Sequence, residues 1–105
     1  YVERKYKQAI LDWSKSIDLD PDFATNYNNR GKANIKVGNY KEAIIDLDKA
    51  IKLEPNAGLH FYNRGLANIG LKKLKYACID FGRAVQLGNE DAAKLLEEHC
   101  EWVLF

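Results

Sequence analysis

The chain has 105 residues, 47% of them hydrophobic and 30% charged, enough for one modest core in a single domain. Lys and Arg number 16 against 15 Asp and Glu, a formal net charge of +1, so the positive excess that grips a nucleic-acid backbone is missing. No apolar run approaches the roughly 20 residues that cross a bilayer, and the first residues form neither a basic n-region nor an apolar h-region, so neither nucleic acid nor membrane is expected as a partner.

The first predicted element runs from about Tyr6 to Leu19, where Ala9, Ile10, Trp13, Ser16 and Ile17 recur at helical spacing. Pro21 stands just beyond it, where its ring forbids continuation. A second helix is predicted over 24–37 and a third over 40–53, with Gly38-Asn39 as the break between them and Pro55 beyond. Helices over 58–71 and 74–87 restate this pair, with the break at Lys72-Lys73. Gly88 is read as the next helix stop and Asn89 as the N-cap of a last helix from Glu90 to about Leu104. That helix puts Ala92, Leu95, Leu96, His99 and Val103 on one side, and Glu90 and Asp91 suit the positive end of its dipole.

The elements repeat with a period of 34 residues. Ala9, Ala43 and Ala77 share a register, as do Pro21 and Pro55, Gly31 and Gly65, and Leu19, Leu53 and Leu87. A period in this range means one helix-turn-helix unit stacked on copies of itself, closed at the end by a helix with one polar face. A mid-helix Gly costs about 1 kcal/mol against Ala, so Gly31 and Gly65 predict a close approach by the second helix of the same unit, at Ala43 and Ala77. The leading segment supplies only the second helix of a first unit, which leaves an apolar edge around Ile10, Trp13 and Ile17. Together with the lack of Met, that suggests a piece of a longer protein.

The spacings contain no Ser/His/Asp arrangement, phosphate-binding Gly loop or metal-ligand cluster, so no enzyme, catalytic residue, metal or cofactor is expected. Asp12, Asp46 and Asp80 recur at the repeat period and are read as a solvated row on an outer surface. Cys78 and Cys100 become neighbours if the last two helices form an antiparallel hairpin turning near Gly88-Asn89. Reduced core cysteines are the expectation, and a disulfide pinning the last helix is the alternative. His99 beside them is read as a capping or core side chain.

These residues resemble the tetratricopeptide repeat. That pattern has an aromatic and then a Gly in the first helix; the second has an aromatic, Ala, a large apolar residue and Ala, with Pro after it. Tyr27 with Gly31, and Phe61 with Gly65, match the first helix. Tyr6, Ala9 and Trp13, then Tyr40, Ala43, Leu47 and Ala50, then Ala77, Phe81 and Ala84 match the second. The resemblance implies an all-α, right-handed superhelical stack of antiparallel helix-turn-helix repeats with a C-terminal capping helix. It divides one domain, 1–105, into a partial repeat 1–22, repeats 23–56 and 57–89, and a cap 90–105. The chain departs from the family at Arg30 and Arg64, where Leu is usual, at Asn34 and Asn68, where Tyr is usual, and at Ser16, where Ala is usual. A ladder pairing the arginines with nearby acids is the preferred reading of the first two, with ligand contact as the alternative.

The resemblance further implies a protein–protein interaction module whose first helices line a concave groove for a peptide or a partner helix. Carried over by position, the groove residues are Thr25, Asn28, Asn29, Lys32, Ile35 and Lys36 in one repeat. In the next they are Leu59, Tyr62, Asn63, Leu66, Ile69 and Gly70. A surface basic on one side and apolar on the other suits an acidic ligand with a hydrophobic anchor. The clamp by which some family members hold acidic chaperone tails needs bases where this chain has Ala93 and Glu97, which argues against that ligand. The alternatives are self-association or scaffolding through the exposed edge, or a regulatory domain of a larger protein. The expected compartment is the cytoplasm, or an extracytoplasmic one if Cys78 and Cys100 are oxidised.

Overall fold

A computed structural model describes residues 2–100. It holds six helices among them: α1 (Val2–Leu19), α2 (Ala24–Lys36), α3 (Tyr40–Leu53), α4 (Gly58–Gly70), α5 (Leu74–Gln86) and α6 (Glu90–Cys100). The described residues contain no strand. Each helix packs against the next, and α2 also meets α4, so the molecule is an elongated slab of 45 × 30 × 19 Å. The predicted last helix beyond Cys100 and its residue Val103 lie outside the described residues.

Three short turns have a common construction. Asn39, Lys73 and Asn89 donate their backbone N–H to the carbonyls of Asn34, Asn68 and Ala84 at 2.8, 2.8 and 2.9 Å, five residues back. This closure needs a left-handed residue just before the donor, and Gly38, Lys72 and Gly88 supply it with φ of 82°, 61° and 94°. Asn89 then caps α6, its Oδ1 accepting the Ala92 N–H at 2.9 Å.

The core runs along the stack in three clusters. Ile17, Ala24, Tyr27 and Ala50 form the first; Ala43, Leu47 and Ala67 the second; Phe61, Ala77, Cys78, Phe81, Ala84, Ala92 and Cys100 the last. Alanines at the contacts let the helices approach closely, and large side chains fill the spaces between them. The glycines meet those large side chains, which corrects the expected contact with Ala43 and Ala77. A Cβ on Gly65 would lie 2.5 Å from the Phe81 ring, and one on Gly31 2.9 Å from Leu47, with the Ala43 carbonyl farther off at 3.4 Å. Ile17 is buried in the first cluster, so the edge left beside α1 consists of the half-buried Ile10 and Trp13.

Candidate functional site

The recurring polar residues sort into a buried framework and an open groove. Within α2 and α3, Arg30 donates Nε and Nη2 to the two carboxylate oxygens of Asp46 at 2.9 and 2.7 Å, and Nη1 to Ser14 of α1 at 3.1 Å. The next repeat copies this: Arg64 donates to Asp80 at 2.8 Å and reaches back to Asp48 of α3 at 3.0 Å. Asn34 and Asn68 donate to the same aspartates at 3.4 and 3.0 Å. Asp46 and Asp80 are therefore buried, which corrects the reading of a solvated row. They face the first helix of their own repeat, and the arginine fork offsets the desolvation of their charge. Only Asp12 of the three is exposed. The hydrogen bonds donated to Asp46 and Asp80 hold both guanidinium groups still more firmly protonated than usual, against the opposing effect of burial. The arginines act as a ladder, within each repeat and to the helix before it.

The open groove lies between α1 and α2, with a volume of about 280 Å³. Asn29, Lys32, Ala33 and Lys36 line it from α2 at helical spacing. Tyr6, Ala9 and Trp13 of α1 form the other wall. Lys32 and Lys36 are exposed, whereas Asn29, Tyr6 and Trp13 are half-buried. The groove thus sets two ammonium groups and one amide against two aromatic rings.

The other residues carried over from the resemblance are distributed differently. Asn28 and Asn63 are buried against each other, Asn63 Nδ2 donating to Asn28 Oδ1 at 2.9 Å, and so tie α2 to α4. Tyr62, Leu66 and Ile69 are half-buried against the terminal core cluster, with the Tyr62 ring centroid 6.2 Å from that of Phe81. Burial, with a smaller contribution from Asp91, raises the Tyr62 phenol above its ordinary range. Ile35 packs on the middle cluster. Thr25 and Leu59 are exposed near the starts of their helices, away from the groove lining. The groove therefore gathers Asn29, Lys32 and Lys36 from the expected set and adds Tyr6, Ala9 and Trp13. The signal for those three is their match to second-helix positions of the repeat.

Cys78 and Cys100 are joined in a disulfide, where a reduced pair was the expectation. The antiparallel α5–α6 hairpin brings their Cα atoms to 5.7 Å, inside the range a bridge spans. His99, one residue away, is exposed, so it is no core side chain. No group of three or more His, Cys, Asp or Glu among the described residues is arranged to hold a metal ion. No described helix is long and apolar enough to cross a membrane.

Comparison with known proteins places this architecture. A family model for the tetratricopeptide repeat matches residues 24–57, and a second model for the same repeat matches 3–38. A search of curated protein sequences finds no match. Among solved structures, the first TPR domain of Spaghetti (RPAP3), bound to the HSP90 peptide SRMEEVD, is 27% identical with a TM-score of 0.88, covering 96% of this chain and 82% of that one. The Arabidopsis OM64 TPR domain is 25% identical with a TM-score of 0.87, covering 96% of this chain and 85% of that one. The second TPR domain of human RPAP3, in complex with the HSP70 peptide SGPTIEEVD, is 35% identical with a TM-score of 0.84, covering 91% of this chain and 82% of that one. With its stacked hairpins, its glycines seated on Leu47 and Phe81 and its 34-residue period, the chain belongs to the tetratricopeptide-repeat family.

Proposed function

We propose that this domain is a non-catalytic interaction module that binds an acidic peptide with an apolar anchor in the α1–α2 groove. The observation that carries the reading is the placement of Lys32, Lys36 and Asn29 opposite Tyr6 and Trp13 in one open groove. The ammonium groups suit carboxylates, the amide suits a peptide backbone, and the rings suit an apolar side chain. Similar domains that bind acidic peptides ending in EEVD support the same class of ligand. Glu97 on α6 is exposed and Ala93 half-buried, so the cap supplies no base; Lys32 and Lys36 of α2 supply the positive charge instead, which readmits the acidic chaperone tail that the cap residues alone argue against.

The test is a titration of SRMEEVD, and of its amidated form with Gln in place of each Glu, against the domain and a Lys32→Glu, Lys36→Glu variant. Both lysines are exposed, so the variant folds. Expected are binding of the acidic form only, a loss of about tenfold or more in the variant, and weakening with added salt. Equal affinity for domain and variant places the ligand elsewhere. A mass that rises with concentration, with no peptide bound, favours self-association instead.

A further inference from the structure

The outer face carries a pattern that the groove does not use. Leu11 of α1, Ile45 of α3 and Ile79 of α5 stand one repeat period apart and are 57%, 68% and 58% exposed. Four residues before each is a lysine, Lys7, Lys41 and Lys75, and four residues after each is a base, Lys15, Lys49 and Arg83. On a helix these positions share a face. All six bases are exposed except the half-buried Lys49, and none forms an ion pair with a described residue. The acids nearby are Glu3, Asp12 and Asp18 on α1, Glu42, Asp46 and Asp48 on α3, and Asp80 on α5; Asp46 is held by Arg30, Asp48 and Asp80 by Arg64, and Asp12 accepts from Gln8 at 3.1 Å. The result is an apolar row across three helices with a basic row on either side.

Between the ridges lie two equivalent hollows of about 270 Å³ each. Ile10, Ile45 and Arg30 line one; Ile44, Ile79 and Arg64, each one period further on, line the other. Eight residues of helix separate the two basic rows by about 12 Å, the outer diameter of an α-helix. A helix lying along the apolar row therefore has both its edges over bases.

We propose that this outer row is a second docking surface, distinct from the α1–α2 groove, and that its occupant is an amphipathic helix of a partner protein, with an apolar stripe and acidic residues along both edges. Charge complementarity selects the acidic edges, and the hollows select side chains spaced at the repeat pitch over a flat lipid surface. A second copy does not supply this helix from its described residues. The acidic α6, with Glu90, Asp91, Glu97 and Glu98, has its apolar side packed into the terminal cluster.

The probe is a synthetic helical peptide of about 20 residues, roughly 30 Å long, with Leu on one face and Glu on both flanks. Its twin carries Lys in place of Glu. Binding is followed by NMR shifts on the domain, on a Lys41→Glu, Lys49→Glu variant and on an Ile45→Ser variant. All three sites lie outside the core and the groove, and circular dichroism checks their folding. The Glu peptide binds, shifting the signals of Leu11, Ile45 and Ile79; the Lys twin does not; both variants weaken it by about tenfold. The affinity of the same variants for SRMEEVD at the α1–α2 groove stays as it was, which separates this surface from the groove. No binding, or binding abolished by Lys32→Glu with Lys36→Glu and untouched at Lys41 and Lys49, overturns the proposal. So does attachment to phosphatidylserine vesicles through the same row without binding of the Glu peptide.

Discussion

Phe81 occupies the room that Gly65 leaves open, and the same relation holds for Leu47 and Gly31 in the repeat before it. Gly65→Ala therefore sets two effects against each other. Alanine is the better helix former by about 1 kcal/mol, but its Cβ would stand 2.5 Å from a fully buried ring that has nowhere to turn. Overpacking of this kind costs about 1–3 kcal/mol, so the variant melts at a lower temperature than the parent. Gly31→Ala meets the more adaptable Leu47 at 2.9 Å and loses less. A Gly65→Ala protein that melts higher means that Phe81 yields. The sequence makes the need for glycine legible, because two glycines in register inside helices demand a neighbour. It does not reveal which neighbour: helical spacing says which helix approaches, and only packing says which side chain fills the gap. The groove was legible to the same degree. Asn29, Lys32 and Lys36 come from the resemblance, carried over by position along α2, whereas Tyr6 and Trp13 needed the packing of α1 on α2.

Between elements, the arginine ladder joins each second helix to the first helix of its repeat and to the helix before. Arg64 touches both Asp80 and Asp48, so it spans the boundary between repeats. Arg64→Met leaves Asp80 buried, with Asn68 as its remaining donor, and breaking a buried pair in this way costs about 3 kcal/mol. A second change, Asp80→Leu, removes the stranded carboxylate. The double variant then regains much of the loss, because an apolar pair of similar volume is often as stable as a buried ion pair. Chemical denaturation of the two single variants and the double variant measures that coupling. Strictly additive losses mean that the fork contributes no pairing of its own. The departures at Arg30 and Arg64 already indicate a ladder, yet the repeat period alone puts Asp46 and Asp80 on the outer surface. Charges at helical spacing are ordinarily solvated, and only the rotation of α3 and α5 about their axes turns these two inward.

Across the whole molecule, α6 packs mainly on a single neighbour, α5, as α1 does on α2 at the other end of the described residues. Its attachment rests on Ala92, Leu95 and Leu96 against the terminal cluster and on the bridge from Cys100 to Cys78. A bridge closing a separation of 22 residues contributes about 3 kcal/mol through the lost freedom of the open chain. Both cysteines are buried, so reduction also leaves two thiols inside a core cut for a bridge. Because α6 packs mainly on α5 and not on α1 to α3, the loss falls unevenly. On addition of a reductant, hydrogen exchange accelerates in α6 and the facing part of α5, while α2 and α3 keep their protection. The melting temperature of the reduced domain falls by about 10–20 °C if the stack melts as one unit. Uniform acceleration in all six helices means that the cap carries the cooperativity of the whole stack. Unchanged exchange, or two thiols open to alkylation in the untreated protein, means that the packing of α6 on the terminal cluster suffices without the bridge.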